Sequence, residues 1–131
     1  MDCQPSSGLL VINALAAADE VLIPVSAEYL PMKGLKLLLR TVTKARRKLN
    51  PDLEISGILL TLVEGRTRHA QSVVENLRQV FKDKVRVFDA QIKKTVKVRE
   101  SAVAGESMLA YASKHEVAQA YRDLAKEILH G

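Results

Sequence analysis

The sequence predicts an α/β fold in which a parallel sheet is sandwiched by helices. Three observations carry that prediction. Short apolar runs at residues 21–25, 55–63 and 85–92 have the length and continuity of strands buried in a parallel sheet. Helix-length amphipathic stretches at 32–49 and 68–82 separate them, as right-handed crossovers require. Breaking signals stand at the joints: Asp19-Glu20, Asn50-Pro51-Asp52, Gly65 and Gly105. No internal repeat, linker or low-complexity segment interrupts the 131 residues, so a single domain over 1–131 is expected.

Residues 7–18 read as a helix, with Ser6 or Ser7 able to cap it. It is apolar nearly all round, which predicts burial on most of its surface. Residues 21–25 follow as a strand bounded by Pro24, and its continuous apolar character predicts cover on both faces. In the helix at 32–49, Leu35, Leu38, Leu39, Val42 and Leu49 share one face. Lys33, Lys36, Arg40, Lys44 and Arg47 share another, and no acidic residue lies between Met32 and Pro51. A charge run is usually a solvated face, but here the i,i+4 acidic partners are missing. The next helix, at 68–82, turns Val73, Val74, Leu77, Val80 and Phe81 inward. After the third strand, where Val85, Val87 and Asp89 share a face, comes a basic stretch with Lys93, Lys94, Lys97 and Arg99. A short helix over 100–104 ends at Gly105. Ser113 and Glu116 have capping-box spacing and open a last helix that runs to about His130, with Val117, Ala120, Tyr121, Leu124 and Ile128 inward.

Composition narrows the function. Apolar residues make up 47% of the chain, as in a globular domain, and no apolar run reaches the roughly 18 residues of a membrane span. Cys3 is the only cysteine, so no internal disulfide forms and a reducing cytoplasm is the natural setting. The net charge of +5 permits binding to polyanions. Aromatics at 4% argue against a reader that stacks on bases, so contacts to nucleic acid should be to phosphates. His69, His115 and His130 are dispersed and suggest no metal site, and no serine sits in a Gly-x-Ser-x-Gly context.

The start of the chain carries the most chemistry. Asp2 is followed by the turn Pro5-Ser6-Ser7-Gly8 and then by a helix. An acid beside a helix N-terminus suits a metal-phosphate site, and the same spacing also makes an ordinary turn and cap. Residues 2–10, Asn13-Ala14-Leu15 and 18–25 together resemble the second half of a ParA-type partition ATPase, of the deviant P-loop group that includes MinD. Further matches follow at Glu28-Tyr29, Gly34-Leu35, 49–53, 57–61, Arg66-Thr67, Ala120-Tyr121 and 124–127.

The resemblance implies a partial deviant P-loop NTPase fold, the C-terminal half of a ParA-like ATPase. It implies that Asp2 holds Mg²⁺ through water, that Pro5 belongs to the switch turn, and that Lys93 and Thr95 close over the adenine of ATP. Gln4 stands where the family usually has Pro, Lys93 where Pro is common and Thr95 where Asn is common. Arg66 and Lys97 fall where the family touches the DNA backbone, with Arg68, Lys93, Lys94 and Arg99 as neighbours. The family's glycine-rich phosphate loop should lie upstream of Asp2, where the sequence has only Met1, so the chain is expected not to hydrolyse ATP by itself and no catalytic residue is assigned. The implied cycle has an ATP-closed homodimer, non-specific DNA and a ParB-type partner, in the cytoplasm at the nucleoid. Two alternatives are a MinD-like membrane ATPase, disfavoured by Glu116, Asp123 and Glu127 in the last helix, and a truncated interaction domain without enzymatic activity.

Overall fold

The computed structural model describes residues 1–4, 8–30, 32–65 and 67–131. Their order is α1 (Leu9–Ala17), β1 (Glu20–Ser26), α2 (Met32–Lys48), β2 (Glu54–Val63), α3 (Arg68–Phe81), β3 (Val87–Lys93), α4 (Val96–Ala104), α5 (Met108–Tyr111) and α6 (Glu116–His130). The strands form one sheet in the order β1-β2-β3, with β2 and β3 parallel. The α/β class and the parallel sheet are those expected. The chain divides into two compact units, residues 1–22 with 31–56 and residues 23–30 with 57–131.

The first unit is held by α1 against α2. Val11 and Leu15 meet Val42, Ala45 and Leu53, and Ala18, Val21 and Ile55 close around them. Asn50, from the stop signal after α2, donates through Nδ2 to the carbonyls of Leu15 at 3.0 Å and Ala18 at 2.7 Å. Carbonyls in the last turn of a helix have no intrahelical donor, so the turn after α2 satisfies the end of α1. The expected burial of α1 is not found: Leu9 and Leu10 are 75% and 80% exposed, and only Val11 and Leu15 are buried. One neighbouring helix covers one side of a helix, and uniform apolarity does not supply a second cover. The helix starts at Leu9 with Gly8 as N-cap and no side-chain cap, and Pro5, Ser6 and Ser7 lie outside the described residues. On β1 only Ile23 and Val25 are buried, so that strand is covered on one face rather than two. In α2, Leu35 and Val42 are buried as expected; Ala45 joins them, and Leu38 and, just past the helix, Leu49 stay exposed.

The second unit packs α3 and α6 on β3. Phe88, Ala90 and Ile92 alternate inward, and Leu77, Phe81, Val117, Ala118 and Leu124 are buried on the helices. Val80, Tyr121 and Ile128, expected inside, are 37–40% exposed. Gly57 has φ +151, and a Cβ there would come within 2.9 Å of Phe88 Cε2 and 3.0 Å of the Arg86 carbonyl, so only glycine fits at this crossing. The β2–β3 register is irregular: it shifts between Ile58↔Val87 and Leu60↔Gln91, where β3 has the longer stretch, and again before Val63↔Lys93. Glu127 of α6 takes up the amides this frees: its carboxylate accepts from Asp89 N at 2.9 Å and Ala90 N at 2.6 Å. Arg86 donates to the Glu127 carbonyl at 3.1 Å and pairs with its carboxylate at 3.4 Å.

Two local expectations are corrected. The helix that residues 100–104 continue already begins at Val96, capped by Thr95, so the basic residues Lys97 and Arg99 sit on α4 rather than in a stretch before it; Gly105 ends it with φ 69 as expected. The last helix is not opened by a Ser113–Glu116 box. His115 is the N-cap, its Nδ1 accepting from Val117 N at 3.1 Å, and Ser113 Oγ accepts from Arg122 at 2.8 Å. The short α5 had no counterpart in the sequence reading.

Candidate nucleic-acid interface

In the second unit the ends of β1, β2 and β3 bring Glu28, Glu64 and Lys94 together. Lys94 Nζ pairs with Glu28 and, at 3.3 Å, with Glu64. The two carboxylates, Glu28 first, hold the Lys94 ammonium above its ordinary pKa. Beside it, Lys93 pairs with Glu116 at 2.8 Å, and Lys97 pairs with Glu100 at 3.2 Å one turn along α4. Three of the six candidate DNA-binding residues therefore already hold carboxylates. Arg68 and Arg99 are exposed and form no ion pair among the described residues, and Arg66 lies outside them.

The helix starts add polarity of the same sign. Thr67 caps α3 by accepting from Ala70 N at 3.2 Å, and Thr95 caps α4 by accepting from Lys97 N at 3.3 Å. Neither helix has an acid in its first turn, so the positive ends of both dipoles stand unneutralised by their own sequence. Such ends attract phosphate. The ion pairs of Lys93, Lys94 and Lys97 are exposed, and pairs open to water are weakened by solvent screening, so an arriving phosphate can displace a carboxylate.

The candidate nucleotide residues fare differently. Asp2 belongs to the first unit and is exposed, making no hydrogen bond or ion pair among the described residues. Lys93 and Thr95 belong to the second, one in an ion pair and the other committed to a cap. Pro5 lies outside the described residues. Among those residues no three His, Cys, Asp or Glu side chains form a cluster; a single carboxylate such as Asp2 is the protein share that a water-coordinated, phosphate-bound Mg²⁺ would use. No helix among them is long and apolar enough to cross a membrane. Sequence reasoning missed the partners Glu28, Glu64 and Glu116. Only Glu100, three residues after Lys97, carried a local signal.

These features define a basic α/β domain with helix N-termini and cations at the strand ends of its second unit. Comparison with known proteins makes the relation specific. A family model described as an AAA domain matches residues 1–55. Over 98% of its length the chain is 46% identical to an uncharacterised protein of Mycobacterium tuberculosis, covering 40% of that protein. It is 42% identical to the sporulation initiation inhibitor protein Soj of Bacillus subtilis, covering 98% of this chain and 50% of Soj. It is 40% identical to the chromosome partitioning protein ParA of Caulobacter vibrioides, covering 98% and 48%. Among solved structures, cobyrinic acid a,c-diamide synthase of Mycobacterium smegmatis, crystallised with an ATP analogue and magnesium, superposes with a TM-score of 0.78 at 31% identity, over 98% of this chain and 45% of that one. Over nearly its whole length the chain is similar to the ParA/Soj chromosome partitioning proteins, the resemblance that its own residues carry. It spans about half the length of the curated relatives it matches.

Proposed function

We propose that this chain serves ParA/Soj-type DNA partitioning by sequence-independent contact with DNA phosphates through the sheet-end cations. The observation that carries the reading is identity of 40–42% to ParA and Soj over 98% of the chain. Arg68 and Arg99 are the contacts, with Arg66 beside Arg68 in sequence and Lys97 joining as it gives up Glu100, and the starts of α3 and α4 orient the phosphates. Lys93 and Lys94 join by exchanging carboxylate for phosphate. ATP, magnesium, a homodimer and a ParB-type partner belong to the cycle of the whole protein, with Asp2 as the residue of this chain nearest that chemistry in type. The test is binding to a random-sequence duplex at two salt concentrations, for wild type and Arg68→Gln/Arg99→Gln. Removing two phosphate contacts makes the log–log salt slope shallower by about 1.8. An unchanged slope refutes the sheet-end contacts, and a sequence preference above about tenfold (~1.4 kcal/mol) refutes the phosphate-only mechanism.

A further inference from the structure

We propose that α2 is a second and separate phosphate-binding surface, a ladder of cations that lies along the backbone of duplex DNA. All seven basic residues of the first unit are on this one helix. The unit's five acids, Asp2, Asp19, Glu20, Asp52 and Glu54, all lie off it. Lys33, Lys36, Arg40, Lys44 and Arg47 are all exposed. At ~100° per residue they fall within an arc of about 80°, roughly opposite the buried Leu35 and Val42. Arg46 and Lys48 add charge in the last turn. None of the seven takes part in an ion pair among the described residues.

A solvated helix face normally intersperses signs, because i,i+4 pairs of opposite charge stabilise and like pairs destabilise. In α2, Lys36, Arg40 and Lys44 are consecutive i,i+4 neighbours of one sign. An external anion relieves that repulsion, and no carboxylate has to be displaced first. From Lys33 to Arg47 the row is about 21 Å long at ~1.5 Å per residue. That equals the axial rise of about six phosphates of one strand, at ~3.4 Å each. A membrane surface fits less well. Leu35, Val42 and Ala45 are spent on the core at no more than 5% exposure, and of the helix's leucines Leu37 and Leu38 are left exposed, two residues rather than the continuous apolar side that an interfacial helix inserts into the bilayer.

The test is fluorescence anisotropy of a labelled random-sequence duplex over a salt series, with the 131-residue chain and its Lys36→Gln/Arg40→Gln/Lys44→Gln variant. Glutamine keeps helix propensity, and circular dichroism verifies the fold. The expected result is a log–log slope shallower by about 2.7 and affinity lower by on the order of 100-fold at about 0.1 M salt. The Arg68→Gln/Arg99→Gln variant, measured beside it, reports on the sheet-end contacts alone, so either reading can fail while the other stands. A folded α2 variant with unchanged slope and affinity overturns the proposal. So does a chain that ignores duplex DNA but sediments with phosphatidylserine vesicles through α2.

Discussion

Two stretches of this chain are comparably rich in lysine and arginine, and the fold treats them in opposite ways. From the end of β3 onward the lysines meet carboxylates: Lys93 finds Glu116, Lys94 finds Glu28 and Glu64, and Lys97 finds Glu100, while Arg99 finds none among the described residues. The cations of α2 meet none among the described residues. The difference follows from topology. Parallel strands deliver their ends to the same edge, so residues following β1, β2 and β3 are brought side by side. A helix whose one face is buried delivers its opposite face to solvent. Charge density in the sequence is therefore a poor guide to electrostatic potential until the strand ends have been matched.

The largest effects that sharpen this contrast come from what anchors each basic region. Leu35 is 4% exposed and holds the inner side of α2 opposite the cationic row. Leu35→Ala is expected to cost about 2–5 kcal/mol in denaturant unfolding, through lost transfer energy and a residual cavity. A cost under about 0.5 kcal/mol, the size of an ordinary surface change, means that α2 is not anchored there. In the second unit, Glu127 fastens α6 to β3. Glu127→Ala leaves the Asp89 and Ala90 amides without their acceptor and is expected to cost about 1–3 kcal/mol. Hydrogen exchange reads this directly. Those two amides should lose protection while the Ile58 amide, bonded to the Arg86 carbonyl at 2.8 Å, keeps its own. Equal loss at all three would mean that the whole unit loosens.

The sequence made the alternation of strands and helices legible because apolar runs, stop signals and helical periodicity are local. Gly105 and the end of α6 were legible for the same reason. The burial of α1 was not, because cover depends on how many neighbours reach a helix and not on its own apolarity. The state of the basic site was legible only in part. Glu28 and Glu64 precede Lys94 by 66 and 30 residues, and no pattern in one sequence links them. The missing i,i+4 partners of α2 could be read in advance, since a helix that lacks acids cannot pair within itself.

A smaller effect probes the carboxylates that guard the sheet end. If phosphate must displace Glu28 and Glu64 from Lys94, removing their charge should favour DNA. Glu28→Gln/Glu64→Gln is expected to raise duplex affinity by about two- to fivefold, the range that exposed ion pairs span. The same substitution leaves the salt dependence contributed by α2 unchanged. A fall in affinity would mean that the two carboxylates position Lys94 for phosphate rather than compete with it.

The smallest effect is in the titration of Lys94 itself. Its ordinary value is 10.5, and hydrogen bonds from the ammonium to Glu28 and then Glu64 raise it. A raised lysine value means that the folded state binds the proton more tightly than the unfolded chain does. As long as both carboxylates are ionised, the contribution of the cluster is therefore complete at pH below the unfolded lysine value, and on the alkaline side it is lost as pH climbs through the folded one. No change in this cluster is expected across neutral pH, so an effect of neutral pH on DNA binding would have to come from another group. Heteronuclear NMR of the Lys94 side chain should show a midpoint above 10.5 in the wild type and a lower one in Glu28→Gln/Glu64→Gln. Equal midpoints would show that the carboxylates do not hold Lys94 in solution. The sheet-end lysine would then be as free as those of α2, and the contrast between the two regions would narrow to Lys93 and Lys97.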